Sequence, residues 1–596
     1  MTDLALHAAI LAPLALALLA IRPGARPLVL RLAPAAPLPA LALALLVPPV
    51  ATSEPWLMMG TTIALEPIGS TFLAFTALLW CAAAATARRW MREDAHATSF
   101  VVCFLLAMAG NLGLILAGDA FTFYALFALM SFSSFGLVVH GRSEGAYRAG
   151  RLYIAFVIAG ELALFAGLVL ATREAGSALL ADLRAAELSG LSAALLIGGF
   201  AVKLGIMPLH FWLPPAHGAA PVPASAVLSG AMIKAGLYGM LASLPLGLQA
   251  MPDHGTVVTA AGLVTMFAAV LLGLRETSPK AVLGFSSVSQ MGIVALALGA
   301  GLIEPASWAV VLPVVVFLAA HHALAKGALF LGAGLFGASG SERARLLVLL
   351  LLAGPALSLA GLAMTSGALG KEALKAALEN GGSQAWAPWL VTALVLSGVA
   401  TTLLMARFGF TLWTNPPGAP APLRAEPESL AAPFLALATL SALLPFLWPL
   451  IAPAPAYAAL AAKPADPLPI VVGALVALAA IVRAHALAIG PGAFWRQITA
   501  PIVLAQEAIA RAASRIGRAI AVRARRVPAA LSERAETMRL GQTAIAALIA
   551  AVLVVGFLEL RSPQAEAVAA PGGEVTESEA EGAEEALEPE PVTPVP

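Results

Sequence analysis

Four lysines lie inside long apolar runs, where a charged side chain is costly. They are Lys203 in GGFAVKLGIMP, Lys234 in SGAMIKAGLYG, Lys326 in AAHHALAKGALF and Lys371 in SGALGKEAL. An ionisable group at the centre of a bilayer costs about 2.5 kcal/mol or more, so each lysine is a functional hypothesis. Lysine suits proton transfer because a desolvated ammonium group releases its proton more readily, and a nearby carboxylate opposes that release. The series therefore predicts a path for protons.

Other ionisable residues in the apolar runs complete the predicted path. They are Glu161, His321, His322 and Glu372. Two alternatives stand beside this hypothesis. A lysine near the end of a span can extend to the lipid headgroups, as Lys280 or Lys375 would, and a lone buried lysine can serve a structural ion pair. Lys203, Lys234 and Lys326 fit extension poorly because apolar sequence continues on both sides of each.

Helix-breaking residues accompany two of the lysines. Lys203 is followed by a proline-rich stretch that begins at Pro208, and Lys371 follows a glycine-containing stretch from Gly361 to Gly370. Interrupted membrane helices are tolerated only where the freed backbone is buried or lines a hydrated cavity, which is where transporters bind ions. Each break alone has a simpler explanation, since Pro and Gly are common in membrane helices. Together with the lysines, the breaks favour transport.

The composition places these residues in a membrane protein. Of 596 residues, 60% are apolar and 11% charged, with 34 basic and 33 acidic side chains. A soluble chain of this length would need more polar surface, and a disordered chain would have fewer apolar residues. The balanced charge argues against a nucleic-acid partner, because phosphate binding requires an excess of Lys and Arg on one face. An integral membrane protein remains.

No catalytic centre, metal site or cofactor is predicted within this chain. Cys81 and Cys103 lie far apart in apolar runs and belong to no CxxC or Cys/His cluster. The sequence has no GxGxxG, phosphate-binding loop or haem ligand pair, while quinone binding stays open. The N-terminus lacks a basic region and a small-residue cleavage site before the next apolar run, so we expect the first span to be retained.

Apolar runs of about 20 residues predict about sixteen transmembrane helices in an all-α polytopic bundle. The clearest spans are 98 to 117, 120 to 140, 152 to 171, 222 to 247, 281 to 302, 388 to 413 and 541 to 559. The alternating pattern of a membrane β-barrel is absent. Before the last span, Arg511, Arg515 and Arg518 fall on one helical face of a basic stretch. This predicts a lateral amphipathic helix on the membrane surface, with an ordinary basic loop as the alternative.

The distribution of basic residues predicts the orientation in the membrane, because Lys and Arg are retained on the cytoplasmic side. Loops after odd-numbered spans carry basic residues such as Arg88, whereas loops after even-numbered spans are acidic, as at Glu66, or nearly free of basic residues. The N-terminus and the Glu-rich C-terminal tail, which we expect to be disordered, are therefore predicted outside a multi-pass protein of the inner (plasma) membrane. The loop that carries Arg184 departs from the pattern.

Three runs carry a resemblance to a known family. They are KLGIMPLHFWLPPAHGAAPVPASAVLSGAMIKAGLYG from Lys203, SPKAVLGFSSVSQMG from Ser278 and HHALAKGALFLGAG from His321. The chain resembles the antiporter-like proton-translocating subunits of respiratory complex I, of membrane-bound nickel–iron hydrogenases of the formate-hydrogenlyase type, and of Mrp-type cation/proton antiporters. The resemblance covers residues 104 to 410. The span number and lateral helix are similar to those of the distal membrane subunit of complex I.

The resemblance implies two inverted five-helix repeats, each with a broken helix and its own half-channel, joined by a hydrated charged axis. On this plan the chain divides into seven segments. They are N-terminal spans 1–97, the first repeat 98–247, the second repeat 256–413, two further spans 430–489, the basic lateral segment 490–540, the last span 541–560 and the acidic tail 561–596.

The resemblance also implies roles for individual residues. Lys203 matches the broken-helix lysine of the first repeat, and Lys234 matches the lysine of the following helix. His322 and Lys326 match the central histidine and lysine, and Lys371 matches the broken-helix lysine of the second repeat. These correspondences imply that the four lysines act in one pathway.

One position departs from the family pattern. In the run FYALFALMSFSSFGL the family has a glutamate that pairs with the first lysine, and this chain has Ala128 there. Glu161, on the next span, is the candidate substitute. The alternative is an impaired pump that is retained for assembly.

These observations predict a proton-translocating membrane subunit of a multisubunit redox-driven complex, of the complex I or hydrogenase type. Its partners would be other membrane subunits, the lipid bilayer and, indirectly, a peripheral redox module. Two alternatives remain: a subunit of an Mrp-type Na⁺/H⁺ antiporter, and a non-pumping structural subunit of such a complex. The sequence leaves the driving reaction and the transported ion open.

Overall fold

A computed structural model describes residues 2–54, 60–380, 387–451 and 467–486. The described chain is built almost entirely of helices that pack side by side. Its α-helices are α1 Thr2–Ala20, α2 Arg26–Leu32, α3 Leu38–Leu46, α4 Pro67–Trp90, α5 Ala97–Leu116, α6 Ala120–Val138, α7 Glu144–Ala175, α8 Leu180–Ala185, α9 Gly190–Leu204, α10 Leu213–Ala219, α11 Val222–Val227, α12 Lys234–Ser243, α13 Pro252–Gly273, α14 Pro279–Ile303, α15 Trp308–Ala338, α16 Glu342–Ala360, α17 Ser366–Asn380, α18 Ala387–Thr414, α19 Ala421–Ala425, α20 Ala431–Ile451 and α21 Leu468–Ala486. A π-helical turn, Leu228–Met232, links α11 to α12, and short 3₁₀ turns lie at Pro23–Ala25, Ala33–Ala35, Pro305–Ser307 and Pro427–Leu430.

These helices have the length and composition of membrane spans. Within the described ranges, twelve are long and apolar enough to cross a membrane, and three shorter apolar helices accompany them. The predicted polytopic helical membrane fold is therefore confirmed. The lateral segment, the last span and the acidic tail lie outside the described residues. The total of about sixteen spans, the two inverted repeats and the division into segments stay predictions.

The all-α prediction needs one correction near the N-terminus. Strand β1, Val50–Glu54, pairs antiparallel with strand β2, Thr61–Leu65. The hairpin is fixed to the helices by Asp119, whose carboxylate accepts a hydrogen bond from the Thr62 backbone N–H at 2.8 Å. β2 alternates between buried and half-buried residues over only five positions. An alternation this short does not stand out between two long apolar runs, so the helical pattern concealed it.

Both predicted helix interruptions are present. α9 ends beside Gly205, whose φ is 73°, and helical structure resumes at Leu213. α16 ends beside Gly361, whose φ is 100°, and α17 begins at Ser366. Glycine adopts these left-handed angles without the strain that other residues would meet. Each interruption ends a helix inside the bundle and frees main-chain carbonyl groups there.

The centre of the bundle is formed by α12, α14 and α15. Every residue of α12 is buried, and so are nearly all residues of α14 and α15. α12 touches α9 at Gly236, where a side-chain carbon would come within 2.7 Å of the Phe200 carbonyl oxygen and 3.1 Å of the Lys203 Cβ. A larger residue would force the helices apart. Gly236 therefore holds the helices of Lys203 and Lys234 in direct contact.

Arg184, whose loop departs from the predicted distribution of basic residues, is part of an ion pair. Arg184, on the short helix α8, donates hydrogen bonds of 2.6 and 2.7 Å to the two carboxylate oxygens of Glu66. The hydrogen bonds from Arg184 to Glu66 raise the pKa of Arg184 above its ordinary value. Because Glu66 neutralises it, Arg184 is compatible with a loop on the side that the charge pattern predicts to be outside.

We expect this pair to stabilise the α8 loop against the start of α4. Glu66→Gln or Arg184→Gln alone should lower the melting temperature, because each leaves its partner without a counter-charge. The double variant should be no less stable than the less stable of the two single variants. The coupling energy between the two residues should be about 1–2 kcal/mol of the free energy of unfolding. Thermal unfolding of the four proteins in one detergent measures this. Additive losses would contradict a direct interaction.

Candidate functional site: a buried lysine and histidine axis

Seven of the eight residues of the predicted path are buried within the bundle, with at most 5% of any of them exposed. They are Glu161, Lys203, Lys234, His321, His322, Lys326 and Lys371. The eighth, Glu372, is half-buried. They lie on α7, α9, α12, α15 and α17. None of the four lysines therefore extends to the surface of the described bundle.

The first lysine shares a small cavity with a carboxylate. Lys203, near the end of α9, donates a hydrogen bond to Ser131 Oγ at 2.9 Å and lies 5.4 Å from the centre of the Phe127 ring. Glu161 lines the same cavity, whose volume is about 10 Å³, roughly the space that one water molecule requires. Oε2 of Glu161 has no hydrogen-bond partner among the described residues. An ammonium, a hydroxyl and a carboxylate group thus surround one water-sized space.

Ala128 lies on α6, on the same helix as Ser131 and three residues before it. Residues at this spacing are neighbours on a helix surface, so a glutamate at position 128 would project close to the Lys203 cavity. With alanine there, Glu161 is the carboxylate that lines the cavity.

Lys234 and His322 are in contact at the centre of the bundle. Nζ of Lys234 is hydrogen-bonded with Nδ1 of His322, and it also donates to the Ser229 carbonyl oxygen at 2.7 Å. Ser229 lies in the π-helical turn Leu228–Met232, where the wider backbone changes the usual carbonyl pairing. The turn thereby supplies an acceptor to a fully buried ammonium group. Nε2 of His322 has no partner among the described residues.

A serine pair connects Lys234 to Lys326. The hydroxyl oxygens of Ser229 and Ser287 are 2.7 Å apart, and Ser287 also donates to the Leu283 carbonyl oxygen at 3.0 Å. Lys326 donates to the same carbonyl oxygen at 2.9 Å. A row of polar groups that crosses α14 therefore lies between the two lysines. It is not one hydrogen-bond chain, because Lys234 binds the main chain of Ser229 and the Leu283 carbonyl accepts from both Ser287 and Lys326.

His321 connects the centre to the second helix interruption. Its Nδ1 is hydrogen-bonded with Ser366 Oγ at 2.8 Å, at the first residue of α17. Lys371, further along α17, donates to the Ala360 carbonyl oxygen at 3.0 Å. That carbonyl belongs to the last residue of α16, whose end is left without helical partners beside Gly361. On α15, His322 therefore contacts Lys234, and the adjacent His321 contacts the first residue of α17.

Glu372 lies beside this axis rather than within it. Its carboxylate forms an ion pair with Lys375 at 2.6 Å. Glu372, Lys375 and Lys371 line a cavity of about 190 Å³ that is also lined by Pro469 on α21. Glu372 therefore acts on Lys371 as a neighbouring charge, and its direct partner is Lys375.

His217 is a site residue that sequence reasoning missed. It is fully buried on α10, and its ring stacks on Phe330 with 4.7 Å between ring centres. Gly284 lies against the ring, since a side-chain carbon there would be 3.1 Å from His217 Cδ2, and the preceding Leu283 carbonyl binds Lys326. Neither ring nitrogen of His217 has a hydrogen-bond partner among the described residues. The available signal was one histidine in the proline-rich run PPAHGAAPVP, which does not indicate burial.

A cavity near the axis is lined by Gly218, the residue that follows His217. Its volume is about 540 Å³, and it is lined by Gly218, Ala220 and Lys280 among others. Lys280 Nζ donates to the Ala220 carbonyl oxygen at 2.5 Å. His217 is thus next in the chain to a residue that lines this cavity, and its ring lies against Gly284, which follows the residue whose carbonyl binds Lys326.

The central part of the chain matches a known family model. Residues 117–371 match the family model described as NADH:quinone oxidoreductase/Mrp antiporter, transmembrane. The resemblance predicted from the sequence is thereby confirmed. Every residue of the predicted path except Glu372 lies within the matched range.

Family relatives come from different kinds of assembly. The chain is 32% identical over 183 residues to hydrogenase-4 component B of Escherichia coli (strain K12), a match that covers 30% of this chain and 27% of that protein. It is 33% identical over 180 residues to a probable K(+)/H(+) antiporter subunit of Rhizobium meliloti (strain 1021), covering 28% of this chain and 33% of that protein. The matches thus span about a third or less of these relatives.

Two solved structures share the fold. The Mrp complex from Dietzia sp. DQ12-45-1b superposes with a TM-score of 0.69 and 21% identity, covering 97% of this chain and 64% of that chain. The membrane-bound sulfane sulfur reductase, an archaeal respiratory membrane complex, gives a TM-score of 0.62 and 20% identity, covering 79% of this chain and 99% of that chain. This similarity establishes the helical membrane fold.

Proposed function

We propose that this chain is a proton-translocating membrane subunit of a multisubunit complex and that protons move along the buried lysine and histidine axis. The observation that carries this proposal is the row of buried polar groups between His322 and Lys326. His322 contacts Lys234, Lys234 binds the Ser229 carbonyl, and the Ser229 and Ser287 hydroxyls lead to the Leu283 carbonyl that binds Lys326. Polar groups in such series polarise one another, and ammonium and imidazole groups exchange protons directly or through one bridging water. Burying such groups inside apolar helices is costly, so their presence favours a role in transport.

Glu161 and Lys203 form the switchable end of the axis. When Lys203 carries a proton its charge is balanced by Glu161 across their shared cavity, and loss of either charge changes the field felt by neighbouring groups in a medium of low dielectric constant. α9 touches α12 at Gly236, so such a change acts on Lys234 at short range. This couples the first lysine to the central series.

Protons reach the axis from the cytoplasm through the 540 Å³ cavity and His217. The charge pattern predicts that the loop before α14, which carries Arg275 and leads to Lys280 in the first turn of α14, is cytoplasmic. A neutral imidazole accepts a proton at one ring nitrogen and donates one from the other, and both ring nitrogens of His217 are free for this role among the described residues.

We infer that the complex is redox-driven, of the complex I or hydrogenase type, and lies in the inner membrane with the N-terminus outside. Hydrogenase-4 component B is among the relatives, which supports this type. Other membrane subunits would be its direct partners, and a peripheral redox module would act on it from a distance. The chain itself would contribute no catalytic centre.

An Mrp-type cation/proton antiporter subunit is the second candidate. The fold similarity to the Dietzia Mrp complex and the relative named as a probable K(+)/H(+) antiporter subunit favour it. In that case the same axis would exchange protons for Na⁺ or K⁺ without a redox reaction. A third candidate, a structural subunit that moves no ions, is favoured by Ala128.

The transported ion separates the first two candidates. The purified complex is reconstituted in liposomes that contain a pH-sensitive dye, with and without Na⁺ and K⁺, and with and without the redox substrate. We expect proton flux that follows redox turnover and persists in the absence of both cations. Flux that requires Na⁺ or K⁺ and needs no redox substrate would instead support the antiporter.

A further inference from the structure

Five arginines surround one cavity at the ends of two neighbouring helices. They are Arg26 and Arg31 of α2, Arg88 and Arg89 of α4, and Arg92 just after α4. The cavity has a volume of about 360 Å³, and its other lining residues, Pro27 and Leu30, are apolar. We refer to these five residues as the arginine cluster. The proton path described above does not use it.

No carboxylate within the described residues balances this charge. None of the five arginines forms an ion pair there. Glu93, directly after Arg92, forms no ion pair among the described residues, and Asp94 pairs with His140 at 3.2 Å. Four of the five arginines are exposed and Arg26 is half-buried, so solvent weakens their mutual repulsion, and an anion among them would reduce it further. Arg88 and Arg89 also lie in the last turn of α4, where the helix dipole favours cations, but that effect does not explain the two arginines of α2.

The surroundings of the cluster resemble those of a lipid more than those of a soluble anion. α2 and α3 together form one candidate membrane span and α4 another, so the cluster lies where two spans end. On the same span, Leu28 lies between Arg26 and Arg31, and Leu32 and Leu38 follow them; the three apolar side chains are 50%, 41% and 48% exposed. A charged recess followed by an exposed apolar strip matches a ligand with an anionic head and hydrocarbon chains.

We propose that the arginine cluster binds the phosphodiester headgroup of an anionic phospholipid from the cytoplasmic leaflet. Arginine suits this ligand because its planar group donates two parallel hydrogen bonds to phosphate oxygens. The acyl chains lie along the Leu28, Leu32 and Leu38 strip. The charge pattern places the cluster on the cytoplasmic side, where anionic lipids give the membrane its negative surface potential.

Native mass spectrometry of the full-length chain in detergent tests the proposal by titration with three probes. They are phosphatidylglycerol, zwitterionic phosphatidylcholine, and glycerol phosphate, which has the anionic group without acyl chains. We expect one phosphatidylglycerol to be retained per chain in preference to the other two. Equal binding of phosphatidylcholine would overturn the role of the arginines, and equal binding of glycerol phosphate would identify a site for a soluble anion.

Paired substitutions locate the site. Arg31→Gln with Arg89→Gln should weaken phosphatidylglycerol binding by about 25-fold, since each arginine near an anionic surface contributes about fivefold. The matched control removes the same charge from the predicted cytoplasmic side at Arg142 and Arg151, outside the cluster, and should leave binding unchanged. Equal weakening by both pairs would overturn the proposal.

A conservative pair keeps the test decisive if the glutamine variant folds poorly. Arg31→Lys with Arg89→Lys retains both charges but loses the bidentate geometry, so binding should be weaker than in the unsubstituted protein and stronger than in the glutamine variant. If the glutamine pair removes a neighbouring protein from the purified complex while phosphatidylglycerol retention stays the same, the cluster binds a protein segment and the lipid proposal fails.

Discussion

Replacing Lys234 with alanine is expected to stop proton translocation by the assembled complex. Lys234 is fully buried, contacts His322 directly and begins the polar series to Lys326. Alanine removes the only group that joins His322 to the Ser229 carbonyl in the described structure. We expect proton flux to fall by roughly 100-fold or more, the scale at which one proton-transfer group acts.

The flux of this variant is compared per assembled complex, so that loss of assembly is not mistaken for loss of transport. Arg148→Ala is the matched control, because it also removes one positive charge, but from an exposed side chain that pairs with Glu144 on the helix surface. The control should transport as the unsubstituted protein does. Normal flux in Lys234→Ala would show that the central series does not carry protons.

Glu161→Gln is expected to have the second large effect. Its carboxylate lines the cavity that holds Lys203, and the amide cannot balance the lysine charge when that lysine is protonated. We expect flux to fall on the order of 10- to 100-fold, with the complex still assembled. The measurement is the same dye assay in liposomes.

Ala128→Glu in the Glu161→Gln background is the informative second variant. A carboxylate at position 128 would project near Ser131, which already binds Lys203, so it should restore a part of the flux. Restored proton flux would show that a carboxylate on α6 can replace the one on α7 as the partner of Lys203. If Glu161→Gln leaves flux unchanged and Ala128→Glu has no effect, the structural, non-pumping candidate becomes the better account.

The sequence predicted the charged members of the axis because a charge inside an apolar run is a strong physical signal. Lys203, Lys234, Lys326 and Lys371 could be named from the cost of burying them. The two helix interruptions could be expected from the proline-rich stretch at Pro208 and the glycine-containing stretch from Gly361 to Gly370. These signals depend only on short stretches of sequence, so they can be recognised without knowing how the helices pack.

The uncharged members were not predictable in this way. Ser229, Ser287 and Ser366 link the lysines and histidines, but serine is common in membrane helices and only packing shows which hydroxyl faces a neighbour. His217 was missed for the same reason. The hairpin was missed because its alternation is short, and the Glu66–Arg184 pair joins residues that are distant in sequence.

Glu372 is the predicted path residue that the structure leaves half-buried. It follows Lys371 directly in the chain, but successive residues on a helix point in different directions. In the structure Glu372 pairs with Lys375, three positions along the same helix. Adjacency to Lys371 in sequence therefore did not predict the direct partner of Glu372, and its place in the path stays a prediction.

The most direct test of the central claim is proton flux through liposomes that contain the complex with Lys326→Ala, measured together with the rate of the driving reaction. Lys326 is fully buried and ends the series that starts at Lys234. We expect the assembled variant to lose proton flux, whereas the Arg148→Ala control retains it. Proton flux per turnover equal to that of the unsubstituted complex would contradict transport along this axis.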